Sequence, residues 1–253
     1  ISSSIEWNHF YPTKGAFFSS RYSHSCCRLS NLMYVFGGCS KGKTTFNDLW
    51  TFDLSNRQWI RPLIGGNYPP PKACSSLVSY QNKLILFGGW THKSQDSIHE
   101  ASWKLFNHIH EFDTSSRKWS LIEPVNQCPP MSGHTASIVN QEMIVFGGLQ
   151  CKDYSTYFTS TNDIWVYNFE TLTWREQSTN SPKPTSRYGH SQLTLDNSIL
   201  ILGGCGNSAN LLNDIWLLQL TDPVWTWSYI QIHSDSPLDI PLIGFHPACK
   251  VNY

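Results

Sequence analysis

Four short apolar runs, each closed by two glycines, set the rhythm of the chain. They are Tyr34-Val35-Phe36-Gly37-Gly38, Leu84-Ile85-Leu86-Phe87-Gly88-Gly89, Met143-Ile144-Val145-Phe146-Gly147-Gly148 and Ile199-Leu200-Ile201-Leu202-Gly203-Gly204. An unbroken apolar run of this length predicts a strand buried on both faces. The glycine pair predicts that the strand ends where the backbone bends or meets a neighbour closely. The first glycines stand 51, 59 and 56 residues apart. A period near fifty predicts a repeat architecture, because units of this kind cannot bury their apolar faces alone.

The polar positions keep the same beat. His24, His134 and His190 each lie 13 residues before their first glycine; Arg21 and Arg187 lie 16 before, and Lys72 holds that place in the second unit. Downstream, Asn47, Asn107, Asn162 and Asn213 each precede a tryptophan by 12 residues: Trp59, Trp119, Trp174 and Trp225. Each unit therefore predicts four strands. Asn47-Asp48-Leu49-Trp50 opens the third, Asp53 to Asn56 forms an Asx-type turn, and Trp59 marks the fourth. Trp165 and Trp216 repeat the place of Trp50. The second unit departs from the pattern, with His108-Ile109-His110 for Asp-x-Trp and Ser75 for the histidine, so its outer half is expected to pack differently. Met131 replaces the cation of the third unit, and the fourth doubles its tryptophan as Trp225 and Trp227.

Proline-rich joints separate the units: Pro69-Pro70-Pro71, Pro129-Pro130 and Ser181-Pro182-Lys183-Pro184. The loop after the glycines is short in the first unit and long in the second and third, where no regular structure is expected. Ile5-Glu6-Trp7 reads as the outer strand of a closing blade, and His246-Pro247-Ala248-Cys249 as the opening of a fifth unit. The expected organisation is one domain over residues 1–253, with complete repeats at about 21–62, 72–122, 131–177 and 187–230. Residues 1–10 and 245–253 would supply a partial blade. A first residue other than Met suggests a segment of a longer chain.

R-x-x-H, apolar-Phe-Gly-Gly, Asn-Asp-x-Trp and a final Trp, spread over residues 21–227, resemble the kelch motif. The resemblance implies an all-β, kelch-type β-propeller of four-stranded antiparallel blades: four complete repeats plus a partial closing blade, first strand innermost. Three segments resemble the kelch region of an F-box protein more closely. These are Asn47-Asp48-Leu49-Trp50 with Trp59-Ile60-Arg61-Pro62-Leu63, Leu86-Phe87-Gly88-Gly89-Trp90-Thr91, and the run from Ile199 to Gly206 with His246-Pro247-Ala248-Cys249. What that implies is a non-catalytic module that recognises protein substrates for a Skp1–cullin–F-box ubiquitin ligase. Skp1 and cullin would be reached only through an F-box, which these residues do not include. Two alternatives stand beside it: a kelch scaffold unrelated to ubiquitin, and a metal-dependent enzyme using the propeller channel.

Charge narrows the partners. Eighteen Lys and Arg balance 18 Asp and Glu, so no net field draws the chain to nucleic acid or an anionic membrane. No apolar run approaches the roughly 20 residues of a membrane span, and the start lacks signal-peptide architecture. Eight cysteines are scattered without C-x-x-C, and no N-x-S/T acceptor occurs; both point to a reduced, intracellular setting, cytoplasmic or nuclear. Cys26, Cys39, Cys74 and Cys205 sit in or beside strands as small hydrophobes, and Cys26 and Cys27 should point to opposite faces of one strand.

Histidines recurring at one offset answer a demand of the scaffold, since a single active site would not repeat with the unit; Asp48, Asp163 and Asp214 are expected to bond turn backbone or a neighbouring Arg or His. His108-x-His110, with His99 nearby, has ligand-like spacing but shows no third ligand, so neither metal nor cofactor is assigned. No nucleophile elbow, P-loop or zinc-protease motif appears, and no Tyr, Cys and His set at loop tips resembles the copper site that some kelch propellers carry. What remains is a surface. Joints and post-glycine loops share one face, which would present Trp90, Lys93, Trp103, Lys104, Tyr154, Tyr157 and Phe158 to a protein partner. Arg21, Lys72 and Arg187, at the mouths of the innermost strands, would suit an acidic or phosphorylated segment.

Overall fold

The computed structural model describes residues 18–42, 44–92, 103–151, 157–221, 224–231 and 241–250. Every regular element among them is a strand. Blade one is β1 (Ser25–Leu29), β2 (Leu32–Phe36), β3 (Leu49–Asp53) and β4 (Gln58–Ile60), paired antiparallel in that order. After the short β5 (Gly65–Gly66), blade two comprises β6 (Ser76–Tyr80), β7 (Lys83–Phe87), β8 (Trp90–His92), β9 (Trp103–Leu105), β10 (Ile109–Asp113) and β11 (Lys118–Ile122). Blade three follows β12 (Met131–Ser132) with β13 (Thr135–Val139), β14 (Glu142–Phe146), β15 (Leu149–Cys151), β16 (Phe158–Ser160), β17 (Ile164–Asn168) and β18 (Thr173–Glu176). Blade four is β19 (Ser191–Leu195), β20 (Ser198–Cys205), β21 (Leu211–Gln219) and β22 (Thr226–Tyr229).

The innermost strands β1, β6, β13 and β19 lie side by side, which makes the chain a β-propeller of four-stranded antiparallel blades. The second strand of blades one to three is buried on both faces, as its unbroken apolar run requires; in blade four Ile199 and Ile201 are buried and Leu200 and Leu202 only half-buried. Leu84 and Leu86 pack toward blade one with Phe36 and Leu49, while Ile85 and Phe87 pack toward blade three with Met143 and Val145. Ile144 and Phe146 repeat this toward blade four.

The glycine pair is where consecutive blades meet. Both residues have positive φ, between 56° and 104° in all four blades. The second glycine's amide donates to the carbonyl of the next unit: Gly38 to Lys72 (3.0 Å), Gly89 to Met131 (2.9 Å), Gly148 to Arg187 (2.8 Å) and Gly204 to Ile243 (2.8 Å). A Cβ on Gly88 would lie 2.5 Å from the His134 ring, and one on Gly148 2.9 Å from the Ser132 carbonyl oxygen. Ile243 thus holds the place of Lys72, Met131 and Arg187, and His246 that of His134 and His190, which aligns the segment after residue 241 with a fifth unit.

Indoles wedge the blades apart at the right angle. Trp119 packs on Phe36, Trp174 on Phe87 and Trp227 on Phe146, each an outer-strand ring against the preceding blade (5.6, 4.8 and 5.2 Å between centroids). This corrects the fourth repeat. Trp227, not Trp225, pairs with β21 as Trp59 pairs with β3, because the turn before it is two residues longer. Trp225 is buried too, against Arg175 of blade three. Trp59 is only half-buried, beside Phe18 and Phe52.

The inter-blade joints are part of the sheets. β5 runs parallel to β11. Asn126 bonds the Trp174 backbone in both directions at 2.8 Å, and Asn180 accepts from the Trp227 amide at 2.9 Å. The long loops also differ from expectation: at their bases β8–β9 form a two-stranded ribbon, and β15–β16 form one that β12 extends to three strands. Ile5-Glu6-Trp7 lies outside the described residues.

Gly148→Ala should lower stability by about 2–4 kcal/mol, since it combines a left-handed backbone with a steric clash. Trp227→Ala should remove about 3–5 kcal/mol, and Trp59→Ala clearly less, because its ring is only half-covered. Urea unfolding of the three variants measures the differences.

Candidate functional site

The cations at the mouths of the inner strands hold the scaffold and do not face a partner. The side chain of Arg187 is 0% exposed; its Nη1 donates to the Gly203 carbonyl (2.8 Å), and its two terminal nitrogens grip Asp214 at 2.7 Å each. Arg21 does the same with Gly37 (3.0 Å) and Asp48 (2.6 and 3.1 Å). Burial by itself would raise both carboxyls, but the arginine hydrogen bonds, joined by Trp50 and Trp216 Nε1, outweigh it and hold them below the usual range. Arg21 and Arg187 therefore leave the expected partner surface, because their donors are already used. Lys72 leaves it because it is 0% exposed, its Nζ lying 4.8 Å from the Phe106 ring. Burial pushes its amine down to about 7. The expected ring of free positive charge is not formed. Unit two's departure thus falls at this brace; its outer half, with Trp119, packs as in the other blades.

The repeated histidines join inner strands. His134 Nε2 meets Ser76 Oγ (3.0 Å) and His190 Nε2 meets Thr135 Oγ1 (2.6 Å), each reaching the preceding blade. Burial lowers both to about 3, so they stay neutral and serve as fixed links. In blade two, where Ser75 replaces the histidine, Ser25 Oγ bonds Ser75 instead. His24 is exposed. His108 and His110 are 6.1 Å apart in a T-shaped arrangement, His110 buried and His108 exposed; His99 lies outside the described residues. Asp163 holds the repeat place of Asp48 and Asp214 but has Met131 where they have an arginine, and Trp165 Nε1 is buried without a partner among the described residues. Cys39 and Cys205 are buried as expected, Cys74 is half-buried, and Cys26 is exposed on the channel wall.

What the face does present is aromatic. Trp90, itself buried, stacks on Trp103 (4.8 Å, 22°), and Trp103 stacks on Phe158 across the blade boundary (5.9 Å, 19°). The ribbons β8–β9 and β15–β16 carry these rings, and the partly exposed edge of Trp103 faces outward. Tyr157, beside Phe158, is 79% exposed. Trp90 and Trp103 of this stack form one wall of a cavity of about 710 Å³ at the channel mouth, completed by Tyr22, Lys41, His92, Tyr188 and Phe245. Tyr22 and Phe245 are 52% and 60% exposed. Lys104 is exposed beside the same ribbon, whereas Lys93 and Tyr154 lie outside the described residues.

An arc of four backbone hydrogen bonds runs along the floor of the mouth. Ser23, Cys74, Gly133, Gly189 and Phe245 hold one place in successive units, and all have positive φ. Each amide donates to the previous carbonyl: Cys74 to Ser23 (2.9 Å), Gly133 to Cys74 (2.9 Å), Gly189 to Gly133 (2.8 Å) and Phe245 to Gly189 (2.6 Å). Sequence reasoning missed Tyr22 and Tyr188, although each follows its arginine directly. It also missed Phe245, whose place by the channel depends on the register of the fifth unit.

Residues 21–227 match the family described as FBX42, beta-propeller domain. The chain belongs to that family. Among its relatives are Putative protein tag-53 of Caenorhabditis elegans, 29% identical over 215 residues, and Kelch domain-containing protein 3 of Homo sapiens, 26% identical over 254. A third is Acyl-CoA-binding domain-containing protein 5 of Arabidopsis thaliana, 26% identical over 219 residues. The alignments cover 81%, 92% and 82% of this chain but only 15%, 62% and 31% of the respective relatives. The chain therefore spans less than two thirds of each. The solved structure of YjhT superposes with a TM-score of 0.66 at 15% identity, over 86% of this chain and 67% of that one, which bears on the fold alone.

Two outcomes test the braces. Asp214→Ala strands a buried guanidinium and should cost about 3–5 kcal/mol in urea unfolding. For Lys72, the folded amine titrates near 7 and the unfolded one near 10.5, so the unfolded chain holds the extra proton between those values. Stability should therefore rise with pH across that window relative to Lys72→Met, and the difference between the two chains should be flat below it.

Proposed function

We propose that the chain is a non-catalytic protein-interaction module, the substrate-recognition part of a Skp1–cullin–F-box type ubiquitin ligase. The observation that carries this reading is the aromatic mouth. Exposed Tyr22, Phe245 and Trp103 surround one opening on a rigid scaffold, with exposed Tyr157 next to Phe158 of the adjoining stack, and such rings are the usual anchors of protein interfaces. The stack of Trp90, Trp103 and Phe158 locks its own rings before binding, so little side-chain freedom is lost on contact. With Arg21, Lys72 and Arg187 withdrawn into the scaffold, the preferred segment offers apolar and aromatic side chains; Lys41 and Lys104 contribute only rim charge. Membership in the FBX42 propeller family supports the ubiquitin setting. Eight free thiols suit a reducing, intracellular location, cytoplasmic or nuclear.

The test joins the chain to an F-box and follows ubiquitylation of the proteins it binds. Combining Trp103→Ala, Tyr157→Ala and Phe245→Ala should weaken that binding about thirtyfold or more with an unchanged Tm. Unaltered binding would move the site off the mouth. Binding without ubiquitylation would make the chain a scaffold of another kind.

A further inference from the structure

Blade two lacks a carboxylate that its sister blades use. In blade one, Asp48 accepts from both terminal nitrogens of Arg21 and from Trp50 Nε1 at 2.7 Å. Blade four repeats the arrangement, with Asp214 between Arg187 and Trp216 Nε1 (2.8 Å). In blade two the same backbone place belongs to His108, whose carbonyl accepts from the Gly88 amide (3.4 Å) as that of Asp48 accepts from Gly37 (3.1 Å). Lys72 stands for the arginine and His110 for the tryptophan.

Both of those groups are orphaned. Lys72 Nζ and His110 Nδ1 are buried and have no hydrogen-bond partner among the described residues. Their counterparts in blades one and four converge on a single carboxylate. Blade three fails in the opposite way, keeping Asp163 and losing the cation to Met131. A second cation stands near Lys72, since Lys104 shares the Phe106 ring with it, and burial, helped by the Lys72 field, holds His108, His110 and His134 toward the neutral form. Among the described residues a carboxylate, Glu123, acts on the cluster at His108. A buried amine and a buried imidazole without acceptors are costly to keep, and one anion would satisfy both.

We propose that this place in blade two is a binding site for a compact carboxylate, which accepts from Lys72 Nζ and His110 Nδ1 as Asp48 accepts from Arg21 and Trp50. The corresponding place in blades one and four reaches solvent, since the Asp48 and Asp214 side chains keep 16% and 23% exposure, and His108 of blade two is exposed. Binding restores the charge of Lys72, because a carboxylate beside an amine favours its protonated form. The carboxylate is either free in solution or the acidic side chain of a partner segment crossing the same face. The site does not depend on the interaction reading above: it stands if the aromatic mouth binds nothing.

The experiment is thermal unfolding of the whole chain near neutral pH, titrated with sodium acetate against sodium gluconate at constant ionic strength. Gluconate carries the same charge on a body too bulky for the place of one Asp carboxylate. Acetate should give a saturable rise in Tm of about 3 °C over gluconate. The rise should vanish in Lys72→Met, a residue blade three already carries as Met131. It should vanish as well in His108→Asp, which supplies the carboxylate internally and should melt above the unaltered chain. A blocked Gly-Asp-Gly peptide run in parallel separates the sources: a shift with the peptide assigns the site to a partner's side chain, a shift with acetate alone to a free carboxylate. No acetate-specific rise, or an equal rise in Lys72→Met or His108→Asp, overturns the proposal.

Discussion

Everything in this propeller depends on one hydrogen bond repeated four times, from the second glycine's amide to the carbonyl that opens the next unit. It requires the backbone to turn left-handed twice in succession and the neighbouring chain to approach to where a Cβ would stand. Only two adjacent glycines meet both conditions without strain. Once that contact is made, the next unit's inner strand is positioned against the previous one. In blades three and four the histidine three residues on then reaches a hydroxyl of the preceding blade, and in blades two to four the outer indole meets the phenylalanine before the glycines. A sheet blade with two apolar faces is unstable alone; held at this joint, each face is covered by a neighbour.

The arginines belong to the same joint. Their guanidinium groups bond the first glycine's carbonyl and a carboxylate at the start of the third strand, so the loop after the glycines is clamped at both ends. The full clamp is made in blades one and four, whose loops after the glycines are short. In blades two and three the loop has grown into ribbons that carry the aromatic stack, while the clamp in blade two has been rewritten as Lys72, His108 and His110. The surface that varies and the brace that has lost its carboxylate therefore fall in the same blade, on the same face.

Much of this was legible in the residues. The glycine spacing, the buried run from Leu84 to Phe87 and the Asx turn at Asp53 follow from local chemistry acting within a few residues. The mouth was legible only in part. Trp90, Trp103 and Phe158 stood out as loop aromatics, but their order in the stack, and the fact that both faces of Trp103 are occupied, arise across a blade boundary. Trp225 and Trp227 show the limit plainly. A spacing of 12 residues selected the first, and the paired strand selected the second, because a longer turn shifted the register.

By itself the sequence determined the unit, its four strands, their number of copies and the family, because these rest on periodicity and on residue types with narrow conformational tolerance. Tertiary structure alone decided which charges remain available. Arg21, Lys72 and Arg187 look identical in type and position to cations on a binding rim, and a residue's exposure is set by what other segments place over it. Asp48 and Asp214 arrive from 27 residues away to occupy two of them, and burial with no acceptor silences the third.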